Sequence, residues 1–483
     1  MTTTFAVITD LHYSRQPVSE SRKGEWANVL LLRAVHRLRR HIKPDAVILL
    51  GDLLNDPLDP DADDLLADLR RTLDLLPCPY LALRGNHDPP ADRFYRIMPR
   101  PADFADLAGV RFVAFDDPEE PGYNAVRLPH DLQRMTDARR SWAGTIVTLQ
   151  HVAVLPPGST DCPYTYTNIG DVLDRTRRAG IALSIGGHYH AGRPPVRDGQ
   201  QTYLCSPGLA ESPFPITLVC VNRDGVEIKV QPLAMPADLG LFDAHAHSQF
   251  AWCCENVSMD ASTAMADLMG LAGLAFTEHV GHLYFDRQII ERGGFAAEGI
   301  DTAICRSTLI EQYWTEAALR RRPGLLFGLE IDTDYKCRPI LRPEDRGRAD
   351  LLLGSIHGLA EDRAARPDAG RLGDQFLASV ESLCRAGVHV IAHPFRTLKG
   401  APHQSLYDPF IRLVKRYGAA VEINFHHFDP DPTLIRRCID AGLKLTFGSD
   451  AHNLSAVGEF YPHLRLLRQA GYNGSLADVL ARF

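Results

Sequence analysis

The sequence predicts an α/β protein built as two domains, and three observations predict it. Apolar runs of about 5–8 residues alternate with helix-patterned segments along the whole chain. The alternation breaks at QPLAMPADLG, rich in proline and small residues, and restarts at LFDAHAH. With 483 residues the chain is too long for one hydrophobic core, at roughly 150 residues per domain. The boundary is expected within about five residues of Pro236, giving domains 1–236 and 237–483.

In the first half, strands are expected at FAVITD, DAVILLGD, YLALRGNHD, VRFVAFDD, TIVTLQH, ALSIGGHYH and ITLVCVN. Helical periodicity marks Gly24–Ile42, Asp61–Leu76, Asp131–Trp142 and Ile169–Gly180. ITLVCVNRDGVEIKV is a hairpin signal, two apolar runs around Asp224–Gly225. In the second half, strands are expected at LFDAHAH, LAFTEH, LLFGLEID, ADLLLGSIHG, VHVIAHPF, AAVEINF and KLTFGSD. Helices are expected at Ser258–Ala272, Arg371–Ala386, Asp408–Tyr417, Pro432–Ala441 and Ser455–Ala470. Seven strand–helix units suit a barrel of parallel strands better than an open sheet.

Composition narrows the partners. Hydrophobic content of 45% and charged content of 23% are those of a soluble globular protein. The formal net charge of −8, without a basic stripe, argues against holding long nucleic acid and favours a small phosphorylated substrate. No apolar run approaches the ~20 residues that span a bilayer, so no membrane partner is expected. The start MTTTFAVITD has no secretion-signal pattern, and the ten cysteines form no CxxC framework. Reduced thiols in a cytoplasm are therefore expected.

Two sets of polar residues close the predicted strands. The first comprises Asp10 and His12 (DLH), Asp52 (GDLLN), Asn86 and His87 (GNHD), His151 (LQH), and His188 with His190 (GHYH). The C-terminal strand edge is where α/β proteins build sites. In an extended segment, residues i and i+2 point to one side, so each DxH or HxH pair could reach one point. Carboxylate, imidazole and amide ligands suit Mn, Fe, Zn or Co. Two ions about 3.5–4 Å apart lower the pKa of a shared water and clamp a phosphoryl group. Glycines beside Asp52, Asn86 and His188 permit close backbone approach. The second set comprises Asp243, His245 and His247 (DAHAH), Glu278 and His279 (TEH), Glu330 (GLEID), His357 (GSIHG), His393 (AHP), and Asp450 with His452 (GSDAH). Arg396 and Lys399 follow on a loop and could hold phosphate oxygens. His426 and His427 follow VEINF, as supporting groups or as surface residues.

The first set, in its order over about residues 1–235, resembles the calcineurin-like metallophosphoesterase family. The resemblance implies a four-layer α/β/β/α sandwich with two metal ions. Asp10, His12, Asp52 and His190 would hold one ion; Asp52, Asn86, His151 and His188 the other. His87 would protonate the leaving oxygen or steady the developing charge. Asn55 stands where many members carry Asp.

The second set, over about residues 238–483, resembles the PHP (polymerase and histidinol phosphatase) family, implying a distorted (β/α)7 barrel with two or three divalent ions. His245, His247, Glu330 and Asp450 would bind one ion; Glu330, His357 and His393 a second; His279 and His452 a third. A bridging hydroxide would attack phosphorus there too. Many members carry a further histidine about six residues past the opening pair, whereas this chain reads SQFAWCCENV. Cys253, Cys254 or Glu255 could replace it, and Glu255 is favoured as a hard ligand for Mn or Fe. The expected activity is that of a bifunctional phosphohydrolase opening a small diester and cleaving a monoester. The alternatives are a nuclease for short oligonucleotides, or one domain kept as a metal-binding scaffold.

Overall fold

A computed structural model describes residues 2–140, 142–222, 225–301, 309–363, 368–398 and 403–483. Lys399 and Asp224 lie outside these residues. The chain divides into two compact units, Met1–Ala234 and Met235–Phe483.

In the first unit, one sheet has the strand order Gly225–Pro232, Pro215–Asn222, Thr3–Ile8, Ala46–Leu50, Tyr80–Leu83. The other runs Arg193–Asp198, Gln201–Cys205, Leu183–Gly187, Thr145–Val152, Val110–Ala114, Ala105–Leu107. Their facing side chains form one core, with Phe5, Val7, Ile48 and Leu50 against Phe112, Val147, Leu149 and Ile185. The alternate residues Ala6, Ile8, Val47 and Leu49 are also buried, so the outer face of the first sheet is covered as well. Helices Ala27–Arg37 and Ala62–Leu73 bury apolar stripes led by Leu30, Leu31, Leu66 and Leu69. On the far side, Met135 and Ala138 from helix Pro129–Asp137 and its C-cap pack with Val172 and Leu173 against Val113, Ile146 and Tyr203. These are the four layers α/β/β/α that the sequence led one to expect.

In the second unit seven parallel strands close a barrel: Phe242–Ala246, Gly273–His279, Leu325–Ile331, Leu351–Gly354, Val390–Ile391, Ala420–Asn424 and Leu445–Gly448. Asp243 pairs with Phe447 to close the ring. Ala244, Ala275, Leu351, Leu353 and Val390 share a core cluster, all five at 0–1% exposure.

Expected and observed elements differ in instructive places. Strands Arg193–Asp198 and Gln201–Cys205 were not expected, because Pro194 and Pro195 read as a loop. Proline is tolerated there because Arg193–Asp198 is an edge strand. Helix Gln404–Tyr417 begins four residues before its expected start and carries Pro409 inside its first turns. Helix Tyr461–Gln469 is shorter than expected, since Leu454–Ala456 forms a separate 3₁₀ turn capped by the Asn453 side chain.

Candidate metal centres

The first centre gathers at the C-terminal ends of strands from both sheets of the first unit. Nε2 of His12 lies 2.9 Å from Nε2 of His190, and Nδ1 of His188 lies 3.0 Å from Nε2 of His151. Oδ2 of Asp52 is 3.7 Å from His12 and 3.3 Å from His151, and Oδ1 of Asn86 is 3.1 Å from His151. Asp52 thus stands between the two pairs of rings.

The second nitrogen of three histidines is anchored. Nδ1 of His151 donates to the Leu50 carbonyl at 2.8 Å, and Nε2 of His188 donates to the Tyr123 carbonyl at 3.1 Å. Nδ1 of His190 lies 2.8 Å from Oε1 of Glu211. Such partners fix the tautomer and aim the remaining lone pair inward. His87 is oriented likewise: Nδ1 donates to the Asn55 carbonyl at 2.7 Å, and the backbone N–H donates to Oδ1 of Asp52 at 2.8 Å.

Backbone geometry corrects the expectation of an extended DxH pair. The first strand ends at Ile8, and Asp10 (φ 53°), His12 (φ 48°), Asp52 (φ 49°) and His188 (φ 67°) all adopt left-handed conformations. Strain of this kind persists where surrounding contacts over-determine it, as at functional sites. Gly85 meets a related demand, because a Cβ there would collide with the Asp52 carboxylate and crowd His151.

Electrostatics follow from burial and convergence. Burial alone would raise the Asp52 pKa, but His151 and then His12 outweigh it and hold the carboxyl well below its usual range. Burial opposes charge on His151 too, yet Asp52 lifts it to about 9. Burial, then the nearby His151, lowers His188 to about 4.

Two tyrosines of the segment Pro163–Asn168 are placed differently. Tyr164 places its ring 4.4 Å from His188, whereas Tyr166 is buried and donates to Asp117 at 2.8 Å. Arg127 is also buried, donating to both Asp117 oxygens at 3.1 and 2.7 Å and lying 3.7 Å over the Phe115 ring. This buried set was missed in the sequence, where Arg127 looked like any surface arginine.

The second centre lies at the C-terminal ends of the barrel strands. Nε2 of His247 is 3.0 Å from Oδ1 of Asp450, and Nε2 of His245 is 3.6 Å from the same oxygen. Glu330 is central: Oε1 is 2.9 Å from His393 and 3.6 Å from His357, and Oε2 is 2.5 Å from Nδ1 of His279. His245, unlike the residues of the first DxH pair, lies within its strand, with His247 just beyond it, so i, i+2 alternation brings them together. Nδ1 of His245 is held 2.8 Å from Glu422, Nδ1 of His247 3.1 Å from Glu278, and Nδ1 of His357 2.9 Å from Asp332. Asp243 turns away, accepting from the backbone N–H of Ser449 and of Gly458 at 2.9 Å each. Burial opposes charge on Glu330, but His279, His357 and His245 together keep its carboxyl far below the usual range. The Glu422 role was missed; its only signal was an acid inside the apolar strand VEINF.

Around the missing histidine, Glu255 and Cys253 are placed differently. Glu255 is exposed on the wall of a cavity of about 530 Å³, with its backbone N–H on the His452 carbonyl. The Cys253 sulfur lies within 4.8 Å of ring nitrogens of His279 and of His452. Cys253, two residues before Glu255, sits in a turn that the Cys254 N–H closes on the Ala251 carbonyl. His282, absent from the expected set, is buried beside them. His426 stacks 4.5 Å from His452 and lines this cavity with His427 and Arg396. Arg396 also lines an adjoining cavity of about 660 Å³ with Phe395, Tyr407 and His427.

Both donor sets fit divalent ions. Among the described residues, buried Oδ1 of Asp10, Nε2 of His245 and Oε2 of Glu330 have no hydrogen-bond partner. Ligand atoms of Asp10, His12 and His190 lie within 4.8 Å of one another, as do those of His247, His279 and His452. Buried polar atoms left so are costly unless something else satisfies them.

Residues 3–192 match the family model of calcineurin-like phosphoesterase. The first unit therefore carries a calcineurin-like phosphoesterase domain. The chain is 27% identical over 209 residues to the DNA double-strand break repair protein Mre11 of Aeropyrum pernix, covering 39% of this chain and 48% of that protein. The chain thus spans about half the length of that relative. It is 25% identical over 255 residues to a protein of Deinococcus radiodurans named probable histidinol-phosphatase, covering 48% of this chain and 94% of the relative. Among solved structures, a dimetal phosphatase from Danio rerio is similar at 18% identity and a TM-score of 0.38, covering 48% of this chain and 98% of its own. A histidinol phosphate phosphatase from Lactococcus lactis, in complex with zinc, L-histidinol and phosphate, is similar at 17% identity and a TM-score of 0.34, covering 48% and 95%.

Proposed function

We propose that the chain is a bifunctional metal-dependent phosphohydrolase with an active centre in each unit. The observation that carries this reading is the presence of two separate clusters of carboxylates and imidazoles, each at strand C-termini and each with ring nitrogens aimed inward. The calcineurin-like match supports phosphoester chemistry in the first, and the relative named as a histidinol-phosphatase supports a monoester step. The second unit is read as a PHP domain, with the boundary near Pro236 separating the two.

In the first centre the ions would be held by Asp10, His12, Asp52 and His190, and by Asp52, Asn86, His151 and His188. In the second they would be held by His245, His247, Glu330 and Asp450, and by Glu330, His357 and His393. Divalent ions of the Mn, Fe or Zn class supply an activated nucleophile and neutralise phosphoryl charge. The chain's own groups do the rest. Nδ1–H of His87 is committed to the Asn55 carbonyl, so Nε2 is the atom that faces the leaving oxygen, and in the imidazolium form it gives that oxygen a proton. Arg396, at the junction of two cavities, binds phosphate oxygens through its guanidinium fork, and the larger cavity takes the remainder of the ester. The product of a diester opened at one centre is a monoester, the substrate class of the other.

The relative Mre11 favours a second reading, cleavage of short oligonucleotides. The cavity beside the first centre is lined by Asp116, Asp117 and Glu119 with only Arg84 among the cations, a poor surface for a long polyanion. Activity on single-stranded oligomers that falls steeply with salt is the result that would favour it.

The test is to convert Asp52 to Asn and, separately, Asp450 to Asn, and to assay the metal-loaded full chain on mono- and diesters. Each change is expected to abolish one class of activity and spare the other. If neither alters any phosphoesterase activity, the proposal is wrong.

A further inference from the structure

We infer that Cys253, His279, His282 and His452 form a sulfur- and nitrogen-donor site for a thiophilic divalent cation of the zinc class. The inference rests on the reading of the second unit as a metal centre, in which His279 and His452 are expected to hold a third ion, and it assigns to that ion the Cys253 sulfur and His282, a residue outside the expected set.

Ligand atoms of Cys253, His279 and His282 lie within 4.8 Å of one another, as do those of His247, His279 and His452. The Cys253 sulfur also lies within 4.8 Å of a ring nitrogen of His452, in a group that includes the Cys254 sulfur, so it joins the two groups. Nδ1 of His452 donates to the Asp450 carbonyl at 2.8 Å, and Nδ1 of His279 faces Glu330. Each ring therefore keeps Nε2 for the sulfur side.

His282 is the independent observation. It is only 8% exposed, its Nδ1 has no hydrogen-bond partner among the described residues, and Trp252 stacks on it at 3.8 Å and 9°. A buried histidine held rigidly by a tryptophan, with an unsatisfied nitrogen beside a thiol and another imidazole, is set up to bind something. Its ring centroid is 4.7 Å from that of His279. One thiolate and three imidazoles match tetrahedral zinc, whereas manganese prefers oxygen donors. The site opens on the cavity that Arg396 lines, so an ion there would meet the phosphate end of a substrate.

The test uses the full chain loaded with Co(II), read by absorption and by bound ions per chain. A thiolate-to-cobalt charge-transfer band is expected in the wild type, and Cys253→Ser is expected to lose it together with about one ion per chain. Cys254→Ser should keep the band, and His282→Gln should weaken cobalt binding at the band at least tenfold. In competition, zinc but not manganese should displace the banded cobalt. The inference is overturned if the wild type shows no band, or if Cys253→Ser keeps both band and ion count. Asp450→Asn separates the underlying reading. If its ion count is unchanged, that reading fails, and the band in the same variant still decides the thiolate.

Discussion

Oε1 of Glu330 lies 2.9 Å from Nε2 of His393, while Oε2, 2.5 Å from His279, has no hydrogen-bond partner among the described residues. One carboxylate thus faces histidines on both sides from the centre of the barrel mouth. Glu330→Gln removes the charge but keeps the shape, so about two ions per chain should become weak at once. Activity from the second unit should fall at least a hundredfold, roughly 3 kcal/mol of transition-state stabilisation. Metal analysis after dialysis checks the first statement, and monoester and diester assays check the second.

The chelator-treated chain should show a pH dependence traceable to His151. Its folded pKa is raised, to about 9, chiefly by Asp52 against the cost of burial. Its stabilising effect is therefore complete below the ordinary value of 6.5 and disappears as pH rises through 9. A rise of this size corresponds to about 3 kcal/mol. Melting temperatures of the wild type and His151→Gln should differ most at pH 5–6 and converge by about pH 9.5. An ion needs the neutral ring, so zinc added near pH 7 should release a proton from this site. A stability difference that grows with pH would contradict the assignment.

The strand-end ligands were legible because chemistry and topology coincide there: an acid or histidine after an apolar run has few reasons to close a strand. His245 with His247 falls where periodicity puts it, whereas Asp450 lies beyond its strand in a left-handed conformation (φ 52°). The local backbone was not legible. Asp10, His12 and Asp52 reach their site through left-handed conformations that only tertiary contacts enforce. Which of Cys253, Cys254 and Glu255 comes near His279 also lay beyond the sequence, since that depends on a turn after Ala251 that brings the Cys253 sulfur within 4.8 Å of its ring. Nor could periodicity reveal Arg127, whose partners Asp117, Gln150 and Tyr166 come from separate segments.

Glu422 should act on metal affinity without touching an ion. It accepts from Nδ1 of His245 at 2.8 Å and from the His393 backbone N–H at 2.6 Å, and so orients two expected ligands. Gly448 is small for the same reason, because a Cβ there would collide with this carboxylate. Glu422→Gln should lower affinity of the second centre about 10–100-fold and leave the first unchanged. Titration with a chelating indicator, with diester and monoester assays run in parallel, resolves the two centres.

Asp117 offers a test of structure rather than chemistry. It receives two hydrogen bonds from buried Arg127 and one from the Tyr166 hydroxyl, joining the loop before helix Ile169–Arg178 to the second sheet. Removing only the acid leaves a guanidinium buried without its counter-charge, which is strongly destabilising, about 3–5 kcal/mol. Replacing both partners by apolar groups of similar volume should cost less, because no charge is then stranded. Asp117→Ala should therefore melt well below Asp117→Leu with Arg127→Met, measured by calorimetry on the metal-loaded chain. Tyr164, two residues before Tyr166, stands 4.4 Å from His188, so the single variant should also disturb the first centre. If the double variant proves no more stable than the single one, the arginine is held by its packing against Phe115 rather than by its charge.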